Sequence, residues 1–204
     1  MTRLRRLNNA LIRIPRGRKS RTSQRASTGD TAIITGEKLD DWIAEIERRL
    51  EGFEQKFERA FGYPSGENFV SKNEQTLTSE SQRKLPQGLE VFYSKIDEIS
   101  MPDVENGLFV HPIRVAVAGE RAGYPTRVTG AINGEITVFG SDGGGGLFVY
   151  FTSSDCIYRL RGGMLAGATY DVSDGGVELL SRTLWGFLEF ISDTLIAAIS
   201  DMSK

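Results

Sequence analysis

Phe139-Gly140-Ser141-Asp142-Gly143-Gly144-Gly145-Gly146-Leu147-Phe148-Val149-Tyr150-Phe151 decides how this chain is read. A glycine-rich segment that aims its N–H groups at a phosphate normally feeds a helix N-terminus, where the peptide dipoles add to the site. Here the glycines run into five apolar and aromatic residues with the character of a buried strand. The ending Gly-Lys-Ser/Thr of a nucleotide-binding loop is absent. The segment therefore reads as a strand-to-strand corner, built on glycine where positive φ or close backbone approach is needed.

Outward from this corner the texture is β-like. Short runs at Leu108–His111, Ile113–Ala118, Arg127–Ala131, Glu135–Phe139, Leu147–Phe151 and Cys156–Leu160 are separated by turn pairs such as Asn133-Gly134 and Asp142-Gly143. Before them, Trp42, Ile43, Ile46, Leu50, Phe53, Phe57 and Phe61 recur every three or four residues, an amphipathic helix stopped by Gly62-Tyr63-Pro64. Residues 65–81 read as a long loop with a short helical start near its end. Leu85-Pro86 opens a second helical pattern through Leu89, Phe92, Ile96 and Ile99, and Asn106-Gly107 marks a turn. After the strands, Ser181 is the expected N-cap of a closing helix to Ile199, with Leu184, Leu188, Ile191 and Leu195 along its buried seam. Helices, then consecutive strands, then a helix imply an α+β domain: an antiparallel sheet of about five to six strands with N-terminal and C-terminal helices packed on it.

Charge divides the chain. Residues 1–28 hold nine Lys and Arg and no acid; the rest hold 16 bases against 27 acids, a net charge of −11. Residues 1–36 read as a basic flexible tail and residues 37–204 as the folded domain. A contact of residues 1–28 with nucleic acid or membrane is the functional alternative to a solvated tail, and an organellar transit peptide a further one. The most apolar stretch, Leu179 to Ile199, is broken by Arg182, Glu189 and Asp193, so no membrane span is expected. One cysteine, Cys156, rules out an internal disulfide and reads as a buried, inert thiol in a reducing, cytoplasmic setting.

Catalytic constellations are weak. His111 is the single histidine and has no second to share a metal with. Ser81-Gln82-Arg83-Lys84 matches a Ser-x-x-Lys spacing, but the companion Ser-Asp-Asn and Lys-Thr-Gly motifs are missing. No nucleophile, base and oxyanion site assemble from these residues, so neither catalysis nor a cofactor is expected.

The order of features resembles the SUKH superfamily, which includes bacterial toxin-immunity proteins and fungal cell-wall assembly regulators. The resemblance is carried by Leu85-Pro86, Phe92-Tyr93, Asn106-Gly107, the segment Gly140-Ser141-Asp142-Gly143-Gly144-Gly145, the strands Leu147–Phe151 and Ile157-Tyr158, and the helix with Phe187-Leu188-Glu189. It spans residues 38–200. Gly146 departs from it, since a polar or acidic residue often follows the three glycines; the long segment between Phe61 and Leu85 departs as well. The resemblance implies a protein-binding role without catalysis: an immunity protein that neutralises a cognate toxin, commonly a nuclease or deaminase. The alternative is a regulatory scaffold for cellular proteins, its basic tail contacting nucleic acid or membrane. An acidic body would steer toward a basic partner. Asp142 and Asp155, as surface acids beside the corner, are the candidate partner-binding residues.

Overall fold

In the computed structural model, residues 34–203 are described; the tail reading lies outside them except for its last three residues. Thr35 caps the first helix, α1 (Gly36–Phe61), its side chain accepting the Lys38 N–H. The expected apolar stripe is buried from Leu39 to Phe57, and the helix stops at Gly62, whose N–H returns to the Glu58 carbonyl.

The next segment holds more structure than its polarity suggests. Strand β1 (Phe69–Lys72) lies in the expected loop, followed by α2 (Ser79–Lys84) and α3 (Gln87–Tyr93). The helical pattern from Leu89 does not continue to Ile99: α3 ends at Tyr93, and residues Ile96–Met101 form β2, antiparallel to β1. The two isoleucines sit three apart and are both buried because the register slips between Ser71 and Lys72, leaving Asp97 as a bulged residue. A bulge thus imitates helical spacing.

Strand β3 (Leu108–Val110) is followed by α4 (Ile113–Ala118), a helix where alternation of apolar residues points to a strand. Pro112 presets the entry to this short helix, and the bulged Asp97 accepts the Ile113 N–H at 3.1 Å. A carboxylate from another element therefore decides this conformation. The remaining elements are β4 (Arg127–Gly130), β5 (Gly134–Asp142), β6 (Leu147–Phe151), β7 (Cys156–Leu160), β8 (Met164–Ala166), β9 (Thr169–Val172), β10 (Val177–Ser181) and α5 (Leu184–Asp201). Thr183 caps α5, its Oγ1 accepting the Gly186 N–H. Ser181 instead brackets Thr183, accepting its N–H and donating to its carbonyl.

The fold is α+β, with five α-helices and, among the described residues, ten strands instead of five or six. All sheet pairings are antiparallel except that of β4 with β9. The nine-residue β5 is the organising strand: its first residues pair with β4, its last with β3, and β6 runs along its other edge. Phe148, Tyr150 and Ile157 point to the main core with α1, α3 and α5. The alternate residues Ile136, Val138, Val149 and Leu160 join Val128, Tyr170 and Val172 in a second cluster on the opposite face. Burial on both faces explains why β6 reads as an unbroken apolar run.

The helices are tied to this sheet at two points. The Phe187 ring lies 5.1 Å from Phe139 and 5.4 Å from Phe148, fixing α5 over the two strands that flank the glycine corner. The Trp42 indole N–H donates to the Leu188 carbonyl at 3.2 Å and the Ser192 hydroxyl at 2.9 Å, joining α1 to α5. No helix among the described residues is long and apolar enough to cross a membrane.

Candidate functional site

The glycine corner is the β5–β6 hairpin, with strands on both sides. Its amide hydrogens are spent within the protein. Gly144 and Gly146 donate to Asp142 Oδ1 at 3.0 and 2.7 Å, Gly145 to the Asp142 carbonyl at 3.3 Å, and Gly143 to the Gly107 carbonyl at 3.3 Å. The loop thus contains its own anion, and no amide is left facing outward for a phosphate.

Two glycines are needed for distinct reasons. A Cβ on Gly143 would lie 1.8 Å from the Asn106 carbonyl oxygen, so the Asn106-Gly107 turn can approach only a bare backbone. Gly145 has φ +83°, which closes the turn and disfavours any other residue. Asn106, Gly107 and Gly143 are therefore one packed corner, although 36 residues separate Gly107 from Gly143 in sequence. Gly140 lies under Phe148, and Ser141 Oγ is 3.0 Å from His111 Nε2. Leu85 is buried between α2 and α3, and Pro86 begins α3. The structure brings Asn106-Gly107 and Gly140–Gly145 together; Leu85-Pro86 belongs to the helical layer.

Asp142 is not a surface acid. Its side chain is 2 % exposed, and Arg161 Nη2 and Nε lie 2.5 and 3.2 Å from Oδ2. Burial opposes ionisation of this carboxyl. The Arg161 contact, the Gly146 and Gly144 N–H groups and the positive charge of Arg161 outweigh it and hold the group below the usual range. Arg159, 3.7 Å from Asp142, is itself held by Glu178, its cross-strand partner on β10. Such a carboxylate fixes the hairpin and has no oxygen left for a partner. Asp155 does lie at the surface, in the left-handed region with φ 56°, and accepts the Tyr150 hydroxyl at 2.7 Å. Burial, followed by this bond to Asp155, pushes the Tyr150 phenol upward.

His111 follows β3. Its ring lies 5.0 Å from that of Tyr124, and its Nδ1 is buried without a partner among the described residues. Burial pulls its pKa down, so the neutral ring is the favoured form. A neutral imidazole beside a serine hydroxyl has the makings of a base. Its remaining nitrogen meets no carboxylate to orient it, so it lacks the third member of a relay.

No family model, no curated protein and no solved structure matches the chain. Reasoning from sequence missed Arg159 and Arg161, which share one face of β7 and its extension. Two arginines at i, i+2 across the end of a buried strand, beside a lone aspartate at a glycine hairpin, were the available signal.

Proposed function

We propose that this protein is a non-catalytic, cytoplasmic immunity-type protein that binds and neutralises a basic bacterial toxin domain, a nuclease or nucleic-acid deaminase. One observation carries the reading: beyond residue 28 the chain holds 16 bases against 27 acids, a net charge of −11. Enzymes that hold phosphate backbones are commonly basic, and an acidic body accelerates encounter with them. The SUKH-like order of motifs supports the same reading. So does the glycine hairpin, whose amides and carboxylate are committed to the fold, because it offers a rigid scaffold in place of a ligand cradle.

The test is co-expression with each toxin domain encoded beside this gene. One of them is expected to kill alone and to be silenced by this chain through one-to-one binding. Failure to rescue growth from any of them overturns the proposal. The nine bases of residues 1–28 favour a second reading, a scaffold whose tail contacts nucleic acid. Loss of nucleic-acid binding on neutralising those bases, with no toxin bound, would select it.

A further inference from the structure

Helix α1 carries more than its buried stripe. Glu47, Glu51, Glu54, Glu58 and Phe61 follow one another at i, i+4, i+7, i+11 and i+14, which keeps them on one side of the helix. Glu47 is answered by Lys72 at 2.8 Å. Glu51, Glu54 and Glu58 are exposed and have no basic partner among the described residues. The cations of α1 are elsewhere: Arg48 and Arg49 are engaged by Glu45, Lys56 by Ser203, and Arg59 follows a different line of the helix. Like charges at this spacing repel, and two of the three acids stand near the C-terminal end, where the peptide dipoles favour cations. The stripe works against the stability of its own helix.

It leads to a rigid aromatic tip. Ring centroids lie 5.7 Å apart for Phe53 and Phe57, 4.6 Å for Phe57 and Phe61, and 5.6 Å for Phe57 and Tyr63. Phe53 is in the core, yet Phe61 and Tyr63 are 54 % and 57 % exposed. The packing of Tyr63 on Phe57 follows from the chain reversal at Gly62. That reversal orders the ring without requiring it to face water. Rings held by a buried ladder lose little further freedom when they are covered.

We propose that Glu51, Glu54, Glu58, Phe61 and Tyr63 form the docking surface for a positively charged protein, an inference that rests on the protein-binding reading above. Phe61 and Tyr63 enter an apolar socket of the partner, while the three carboxylates meet a rim of Lys and Arg. Charge complementarity selects this occupant, since the stripe repels nucleic acid and anionic membranes alike. Buried aromatics hold such complexes together, and rim charges set how fast they form.

The test uses the full chain and a catalytically inactive form of the toxin domain encoded beside its gene, with association and dissociation measured at two salt concentrations. Phe61→Ser with Tyr63→Ser is expected to weaken binding about 100-fold, mainly through faster dissociation. Glu51→Gln, Glu54→Gln and Glu58→Gln together are expected to slow association about tenfold at low salt and to flatten its salt dependence. The equal charge change Glu74→Gln, Glu120→Gln and Asp174→Asn elsewhere on the surface should do neither. Melting curves confirm that the variants stay folded, as expected for exposed side chains. Wild-type binding that both variant sets retain overturns this surface and leaves the immunity reading standing. No wild-type binding overturns both. Two other occupants also overturn it: a second copy, seen as a dimer that the Phe61/Tyr63 variant dissociates, and the chain's own tail, seen as a peptide of residues 1–28 that binds only chains with the three glutamates intact.

Discussion

Arg161 and the hairpin amides divide the two oxygens of Asp142 between them. The guanidinium contacts Oδ2 at 2.5 and 3.2 Å, while the Gly144 and Gly146 N–H groups take Oδ1. One carboxylate thus fixes both the shape of the β5–β6 turn and its position against the end of β7.

Removing that carboxylate should cost more than removing its cation. Asp142→Ala leaves two hairpin amides and Arg161 without their acceptor, an expected loss of about 2–4 kcal/mol. The Arg161 side chain is 46 % exposed and can return to water. Arg161→Ala should cost only about 1–2 kcal/mol, because the Asp142 carboxylate keeps its two amide bonds and Arg159 stands 3.7 Å from it. Urea midpoints of the two single variants and the double variant measure both losses and their coupling; equal costs for the singles would contradict this division.

The same carboxylate should shape the acid limit of stability. Its folded pKa is depressed from the ordinary value of 3.8, so its contribution is complete above that value and is lost as pH falls through the lower folded one. Asp142→Asn keeps an acceptor for the amides but does not titrate. Unfolding free energy followed down the acid range should fall more steeply in the wild type than in Asp142→Asn.

His111 should give a second, separate pH effect. Its folded pKa lies below the ordinary 6.5, because the ring is desolvated. Between those values the unfolded chain binds the proton and the folded chain does not, so stability declines as pH drops through this window. The melting temperature of the wild type should fall as pH drops through about 6.5 and below, and His111→Gln should lack that component. Parallel curves for the two proteins would remove His111 from the explanation.

Neighbouring glycines of the hairpin should respond unequally. Gly143→Ala places a methyl 1.8 Å from the Asn106 carbonyl oxygen, a clash between two backbones that only a shift of the corner relieves. Gly145→Ala meets open space and carries only the cost of its φ of +83°, about 1–2 kcal/mol. Thermal unfolding should rank Gly143→Ala well below Gly145→Ala. Amide exchange should place the added loosening of Gly143→Ala at both Asn106-Gly107 and the hairpin.

Much of this architecture could be read before any tertiary structure. The stripe from Leu39 to Phe57 specifies α1, and the apolar runs Leu147–Phe151 and Cys156–Leu160 coincide with β6 and β7. Ile96 and Ile99 misled because a bulge let a strand bury residues three apart. Ile113 to Ala118 misled because its alternating apolar residues suit a strand, whereas Pro112 and the Asp97 carboxylate start a helix there. β8, β9 and β10 are three to five residues long, and much of their surface remains exposed. They carry little periodicity of their own.

The candidate site was less legible. Asp142 and Asp155 look alike as acids beside a glycine corner, yet one is buried against Arg161 and the other faces water. No local pattern separates them, because the difference comes from where β7 ends relative to the hairpin.

The sequence by itself determined the fold class, the strand-to-strand character of Gly140–Gly146 and the acidity of the body, since all three follow from local periodicity, backbone freedom and net charge. Tertiary structure decided what the corner does with its amides and which acids remain free. Whether a carboxylate is spent inside the fold or offered to a partner depends on which cation the chain brings within about 3 Å of it, and for Asp142 that cation is 19 residues away.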